Sequence, residues 1–153
     1  MCLDKRISIL YSNSMATNNQ FAIAVHLMAG LAYYSDGTVT SSRLANSVNA
    51  CPSFLRRTLS KLSKANLVHA TMGKTGACGL ARSPSKISLL DIYKAVKAPR
   101  AFAVHTYPVQ QGCPVSRNIK PAMQRALMKA QKSMEDDLAK TSLAEFVSDL
   151  KGA

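Results

Sequence analysis

A short connection between two amphipathic patterns constrains the fold of this chain more than any other feature. One helical pattern runs over residues 41–48 and the next over residues 52–64, which leaves only residues 49–51 for a tight turn. Thr40 is a suitable N-cap for the first helix, and Pro52 suits the first turn of the second, where its missing N–H is not needed. Two short helices joined in this way predict a helix-turn-helix.

The second of these helices has one apolar face and one basic face. Leu55, Leu59 and Leu62 repeat at helical spacing and predict the buried side. Many helical pairs share this spacing, so the absence of acid from the outer side is what favours a DNA-reading helix over an ordinary surface helix. That outer side carries Ser53, Arg56, Arg57, Ser60, Lys61 and Lys64.

A glycine-rich hairpin is predicted directly after the basic helix. The pattern predicts a strand over residues 67–72, a glycine-rich turn containing Lys74 over residues 73–79, and a second extended segment over residues 80–82. A phosphate-binding loop is the competing interpretation, but no Gly-Lys-Ser/Thr run follows the glycines. The hairpin therefore predicts the wing of a winged helix-turn-helix.

The net charge of the chain is +12, and most of it lies in one segment. Residues 38–101 contain eleven Lys and Arg but a single acid, Asp91. Solvated basic faces usually intersperse acids, so this segment indicates a polyanionic partner. Its overlap with the helix-turn-helix favours double-stranded DNA over a membrane surface. At 47% hydrophobic residues the chain is also too apolar for a disordered basic tail.

The apolar runs are too short for a membrane protein. The longest, residues 21–34, falls below the ~20 residues that span a bilayer, and the N-terminus has no clear secretory signal. The Cys residues, at positions 2, 51, 78 and 113, form no CxxC pair and favour thiols in a reducing compartment. These observations predict a cytoplasmic protein without a membrane partner.

Helical patterns continue on both sides of the basic segment. We expect a first helix over residues 18–34, a fourth over residues 83–96 and a short last helix over residues 143–150. Residues 99–118, which contain several Pro and Gly, read as a loop. The chain is therefore expected to be mainly α with a small β-wing.

A long amphipathic helix is predicted over residues 115–139. A stripe of this length needs a surface to cover it, and a symmetric dimer is the simplest one. Packing against the helix's own domain is the alternative that the pattern leaves open. The apolar positions of the stripe are Ile119, Met123, Leu127, Ala130, Met134 and Leu138.

Five stretches carry a resemblance to one known family: residues 21–27, 55–68, 73–82, 87–96 and 113–119. Together they resemble the Rrf2 family of bacterial winged helix-turn-helix regulators, which includes iron–sulphur cluster assembly regulators and nitric-oxide-sensitive repressors. The resemblance covers about residues 18–140, and its most specific parts are the helix that leads into the wing and the run Leu-Asp-Ile-Tyr-Lys-Ala-Val that ends at Val96. It implies a homodimer joined through the long helix that binds palindromic operator DNA, usually as a repressor.

The patterns and the resemblance divide the chain into parts. Residues 1–17 are a polar N-terminal extension, residues 18–98 a winged helix-turn-helix DNA-binding domain, residues 99–118 a candidate effector loop, and residues 115–153 a dimerisation helix with a C-terminal helix. We expect a sequence-specific, homodimeric transcriptional repressor that responds to an unidentified signal. No catalytic motif such as HExxH, a Walker loop or a nucleophile elbow is present, so an enzyme is not expected.

The candidate effector loop departs from the cluster-binding members of that family. Those members have three closely spaced Cys in the loop, whereas this chain has only Cys113 there. A cluster needs about four protein ligands, so we predict no iron–sulphur cluster, no other cofactor and no metal site. His105 and Cys113 are instead candidates for a small-molecule or redox effector site, although Cys113 is equally consistent with a structural residue at a helix start.

The basic helix supplies the main candidates for DNA contact. Arg56 and Arg57 can bond bidentately to a guanine edge, and Ser53, Lys61 and Lys64 can hold phosphates. A solvated basic face is the alternative, and the agreement of helix, wing and charge favours DNA.

Three further residues are candidates for the same interface. Ser41 and Ser42, at the start of the preceding helix, can bond phosphate or simply cap the helix. Lys74, at the wing tip, is a candidate phosphate or minor-groove contact, with an ordinary exposed lysine as the alternative.

Other functions share some of these features. A non-specific or architectural nucleic-acid-binding protein would use the same charge without discriminating between sequences. A redox- or metal-sensing regulator would need atypical ligands. A protein–protein module would use a degenerate winged helix with no affinity for DNA.

Overall fold

The computed structural model describes residues 16–34, 39–70 and 77–152. Within these ranges the strands form one antiparallel sheet, and the fold is mainly α with a small β-wing, as the sequence predicts. The helices are α1 (Ala16–Tyr33), α2 (Ser41–Val48), α3 (Pro52–Lys64), α4 (Leu89–Ala95), α5 (Pro114–Lys140) and α6 (Leu143–Gly152). The strands are β1 (Val39–Thr40), β2 (Val68–Ala70) and β3 (Ala77–Leu80).

Local signals place the helix-turn-helix at the predicted residues. The Arg43 N–H donates a hydrogen bond of 3.2 Å to Thr40 Oγ1, so Thr40 caps α2. Asn49 ends α2 in the left-handed region at φ 52°, which asparagine tolerates better than most residues. Pro52 occupies the first turn of α3. Thr40 and Asn49 mark the two ends of α2, and Pro52 marks the start of α3. These local signals let the sequence locate both helices.

The sheet has the strand order β1-β3-β2. In the β2–β3 register His69 faces Gly79, and a Cβ on residue 79 would stand 2.6 Å from the imidazole Nε2. A side chain at residue 79 would therefore require the exposed His69 ring to move. β3 begins at Ala77, earlier than the predicted return strand at residues 80–82, and β1 is an extra strand that the sequence pattern did not predict. Residues 71–76, including Lys74, lie outside the described residues.

The hydrophobic core joins α1, α3, α4 and α6. Leu27 and Leu62 are completely buried in it, and α6 adds Leu143 and Val147. The last helix, which the sequence predicts as one part of the chain with the dimerisation helix, thus packs into the core of the winged helix.

Residues 83–96 do not form the single helix that the sequence predicts. A 3₁₀ turn covers Pro84–Lys86, and α4 begins only at Leu89. Between them, the backbone of residues 87–89 pairs with that of residues 141–143 through hydrogen bonds of 2.8 and 3.0 Å. This pairing interrupts the helix, and its partner lies too far along the chain for a local pattern to reveal it.

The long helix α5 packs against α4, and most of its side chains are exposed. Gln131 is its buried residue, and Pro121 lies inside the helix. None of the helices in the described ranges combines the length and hydropathy that crossing a bilayer requires.

Candidate nucleic-acid interface

Helix α3 presents a polar surface on the side opposite the core. Leu55, Leu59 and Leu62 are buried on its inner side, and so is Thr58, whose hydroxyl donates to the Phe54 carbonyl at 3.1 Å. The predicted contacts Ser53, Arg56, Arg57 and Lys64 therefore lie together on solvent-exposed positions. The exposed residues of the helix are Pro52, Ser53, Arg56, Arg57, Ser60, Ser63 and Lys64.

Lys61 lies apart from this exposed face. Its side chain is half-buried, and Nζ donates a hydrogen bond of 3.0 Å to the carbonyl oxygen of Val96, the C-cap residue of α4. The helical pattern predicts Lys61 on the outer face with the other cations. The structure differs because the long side chain reaches a carbonyl at the end of α4, where cations are favoured.

The start of α2 lies beside a cation that the sequence analysis did not single out. Ser42 is exposed and Ser41 is half-buried. The exposed Arg43 has its guanidinium carbon 4.2 Å from the centre of the Tyr34 ring. The signal that could have identified Arg43 is its position on the first helix of a helix-turn-helix, the helix that crosses the DNA backbone.

No carboxylate of α2 or α3 neutralises these cations, because the two helices contain no Asp or Glu. The ion pair seen in the described ranges joins Lys140 and Asp137 at 3.0 Å, and it lies on α5. The hydrogen bond to Asp137 raises the pKa of Lys140. The basic charge of α2 and α3 is therefore available to a polyanion.

The wing is tied to the end of α3 by an arginine. Arg82 Nε donates to the Asn66 carbonyl at 3.0 Å, and Nη2 donates to the Ala65 carbonyl at 3.1 Å. Both carbonyls lie in the turn that follows α3, so Arg82 anchors the hairpin. The contact predicted for Lys74 stays a prediction, since the wing tip is outside the described residues.

The described cysteines differ in their surroundings. Cys51 is exposed immediately before α3, with Sγ 3.3 Å from Ser53 Oγ. Cys78 is half-buried in β3, and burial raises the pKa of its thiol. Cys113 is half-buried at the start of α5. Proximity to the exposed basic face of α3 thus distinguishes Cys51 from the other two.

The candidate effector loop folds back onto the first turns of α5. The Gln110 N–H donates to Ser116 Oγ at 2.9 Å, and the Lys120 ammonium donates to the Tyr107 carbonyl. The ring of His105 lies 5.8 Å from that of Tyr107. No group of three or more His, Cys, Asp or Glu side chains in the described ranges is arranged to hold a metal ion.

A cleft of about 820 Å³ opens between the loop and α5. Phe102 and Met128 contribute apolar walls, and Arg100 and Lys132 contribute cations. The lining comprises residues of the 99–104 stretch and of the middle of α5, and neither His105 nor Cys113 is among them. The cleft is therefore separate from the two predicted effector residues.

The predicted dimer stripe divides into two halves on α5. Ile119 and Met123 are 36% and 41% exposed in the single chain, and the neighbouring Val115 is 67% exposed. Leu127 and Met134 are half-buried, whereas Ala130 is exposed. The first half of the stripe thus leaves large apolar side chains exposed. In the second half, Leu127 and Met134 are partly covered by the chain itself.

Comparison with known proteins gives a consistent family. The family model described as "Rrf2: Iron-dependent Transcriptional regulator" matches residues 17–149. A protein of Bacillus subtilis (strain 168) named "Putative HTH-type transcriptional regulator YwnA" is 36% identical over 134 residues, which cover 87% of this chain and 98% of that protein.

Solved structures agree in fold. IscR of T. potens superimposes with a TM-score of 0.63 at 23% identity, covering 86% of this chain and 85% of that one. CymR of Staphylococcus aureus superimposes with a TM-score of 0.65 at 20% identity, covering 84% and 95%.

Proposed function

The chain belongs to the Rrf2 family of DNA-binding transcriptional regulators, and we propose that it acts as a homodimeric repressor on a palindromic operator. Its role is regulatory, not enzymatic. The dimer, the palindrome and the direction of regulation are the parts that we propose here. A regulator of this kind works where the genome is, so we place it in the cytoplasm.

The acid-free outer face of α3 is the observation that carries the proposal. Arg56, Arg57 and Lys64 are exposed there together, and arginine can bond bidentately to guanine O6 and N7 in the major groove. We assign α3 to the major groove and the α2 residues Ser42 and Arg43 to the flanking phosphates. The wing would then lie on the adjacent backbone.

Dimerisation is supported by the uncovered half of the α5 stripe. Val115, Ile119 and Met123 are large apolar side chains exposed on one helix, and contiguous apolar surface of this kind marks protein–protein interfaces. A second copy of the chain would cover it symmetrically. Two recognition helices related by a two-fold axis match a palindrome whose half-site centres are about 34 Å apart or a multiple of that distance.

The signal that modulates binding is proposed to act through residues 99–118. The description of the family implies iron, but the described residues do not fit an iron–sulphur cluster. The loop contributes one thiol, Cys113, and the described ranges hold no group of three metal-ligating side chains. We therefore assign no step to iron, and His105, Cys113 and the neighbouring cleft stay candidates for a small-molecule or redox effector.

Selection from random double-stranded DNA, followed by competition at fixed salt, tests the proposal. We expect the selected operator to bind ~10³-fold or more tightly than random DNA. Arg57→Ala should cost roughly 10- to 100-fold in operator affinity and relax the preference for one base pair. Arg125→Ala, an exposed arginine on α5, is the matched control and should change little.

Other outcomes point to other functions. Tight binding without enrichment of any sequence would indicate an architectural DNA-binding protein. If the wild type binds no DNA, so that Arg56→Ala/Arg57→Ala has no DNA affinity to remove, the chain would be a protein–protein module. Promoter fusions carrying the selected operator then show whether bound protein lowers transcription.

A further inference from the structure

A buried polar bridge connects α4, α5 and the start of the loop between them. Gln131 and Tyr93 are each 9% exposed. The Gln131 Nε2 donates to the Tyr93 hydroxyl oxygen at 3.1 Å and to Glu135 Oε1 at 2.7 Å. The Tyr93 hydroxyl in turn donates to the carbonyl oxygen of Pro99 at 2.6 Å. We call this group the Tyr93–Gln131 bridge.

The bridge holds the Gln131 amide in one orientation. Its Oε1 accepts the Ala101 N–H at 3.0 Å, while Nε2 faces two oxygen atoms. Turning the amide over would set its NH₂ group against the Ala101 N–H and its oxygen against Glu135, so that donors face donors and acceptors face acceptors. Buried polar groups that lose their partners are costly, so the bridge favours a single arrangement of α4, α5 and residues 99–101.

A second contact extends this arrangement to the recognition helix. Lys61, on α3, donates from Nζ to the carbonyl oxygen of Val96 at 3.0 Å, and Val96 is the C-cap residue of α4. Tyr93 lies on the same short helix. Helices α3 and α5 are therefore joined through α4, by the Lys61–Val96 hydrogen bond on one side and the Gln131–Tyr93 hydrogen bond on the other.

We propose that Gln131 and Tyr93 are positioning residues that set the angle between α3 and α5, and thereby the half-site spacing that the dimer accepts. The inference rests on the proposed function, since spacing has meaning only for a dimer that reads a palindrome. It also gives the candidate effector loop a mechanical role. Ala101 and Pro99, which begin that loop, are themselves partners in the bridge, so a change in the loop reaches the recognition helix through it.

Operators with altered spacing provide the test. One inserted base pair turns a half-site by about 35° and moves it about 3.4 Å, and the wild type should lose roughly tenfold or more in affinity for it. Gln131→Met and Tyr93→Phe remove the bonds with little change of volume, and each should reduce that discrimination to about threefold or less. Ser133→Ala, at an exposed position of the same helix outside the cleft, is the matched control and should discriminate like the wild type.

Binding to a single half-site separates positioning from a merely structural role. A positioning role predicts unchanged half-site affinity and an unchanged dimer with altered spacing preference, and this result supports the proposal. If the variants keep the wild-type spacing preference, or lose half-site and full-site affinity in equal measure, the proposal is overturned. If Gln131→Met fails to fold, Tyr93→Phe, which lacks one oxygen atom, decides on the same criteria.

The failure of the underlying function looks different. A wild type that does not distinguish an operator from random DNA, or that binds as a monomer, overturns both the proposed function and the positioning role. If the wild type distinguishes operator spacings and both variants distinguish them equally well, the positioning role alone is overturned.

Discussion

Two lysines on α3, Lys61 and Lys64, differ in burial and in hydrogen bonding. Lys64 is exposed on the outer face of α3, whereas Lys61 is half-buried and donates to the Val96 carbonyl at 3.0 Å. The sequence predicts both as phosphate contacts, because both fall outside the leucine stripe. Helical position alone could not show that Lys61 reaches a carbonyl at the end of another helix.

Substituting each lysine by methionine should therefore give opposite results. Lys64→Met should lower the slope of log affinity against log salt by about one unit, because it removes one phosphate contact. Its effect on the free energy of unfolding should stay within about 0.5 kcal/mol. Lys61→Met should lower the free energy of unfolding by about 1 kcal/mol through the lost hydrogen bond. The salt slope should change much less than in Lys64→Met.

Binding titrations at several salt concentrations and urea unfolding measure the two quantities. Equal salt slopes for both variants would show that Lys61 leaves Val96 and contacts phosphate in the complex.

At the scale of elements, the break between the 3₁₀ turn and α4 depends on Ser88. The Ser88 hydroxyl accepts the Asp91 N–H at 3.1 Å, and the Ser88 N–H donates to Asp91 Oδ2 at 3.0 Å. This reciprocal pair is a capping box, which satisfies backbone groups at the start of the helix. It also ends the preceding extended segment that bridges Ser142.

Removing the cap should destabilise the fold measurably. Ser88→Ala should lower the free energy of unfolding by about 1 kcal/mol, the usual cost of losing a serine N-cap. Ser85→Ala, at an exposed position of the 3₁₀ turn, serves as the control and should cost about 0.5 kcal/mol or less. Urea unfolding followed by circular dichroism measures both, and equal losses would mean that the capping box contributes nothing of its own.

Local signals and distant contacts account for what the sequence could and could not predict. The bounds of α2 and α3 were predictable because Thr40 and Pro52 mark them directly. The strand β1 was not, because it exists only through pairing with β3, as in Val39 with Cys78. The break at Ser88 likewise depends on residues near Ser142, which a window along the chain does not contain.

The candidate site shows the same difference between local sequence signals and distant contacts. The exposed face of α3 follows from helical periodicity, so Arg56 and Arg57 could be chosen from the sequence. His26 could not be placed in this way: its neighbours Val25 and Leu27 are apolar and buried, but His26 is exposed and its Nε2 lies 3.0 Å from Ser47 Oγ on α2. Which side of a mostly apolar helix meets α2 is decided by tertiary packing.

At the scale of the whole molecule, the acid-free basic face and the uncovered apolar surface lie on different helices. The basic face belongs to α3, while Val115, Ile119 and Met123 leave apolar surface exposed on α5, which also carries exposed cations such as Arg117 and Arg125. A monomer would keep that apolar surface in water and hold one recognition helix. A dimer covers it and gains a second recognition helix, so that binding of the second half-site becomes effectively intramolecular.

A charge placed in the exposed half of the stripe should therefore abolish the dimer. Met123→Glu would bury a carboxylate from each protomer in the proposed interface, and we expect the dissociation constant of the dimer to rise about 100-fold or more. Met128→Glu is the matched control, since Met128 is 49% exposed and lies about 140° around the helix from Met123. It should leave the dimer intact.

Sedimentation equilibrium and operator binding together decide the matter. Met123→Glu should sediment as a folded monomer, keep its affinity for a single half-site and lose most of its affinity for the full palindrome. If Met123→Glu stays dimeric, the stripe does not form the interface. If Met128→Glu also dissociates, the interface extends across the cleft beside α5. In that case an effector that enters the cleft would compete with the second protomer, and ligand binding and dimerisation would be coupled in opposite directions.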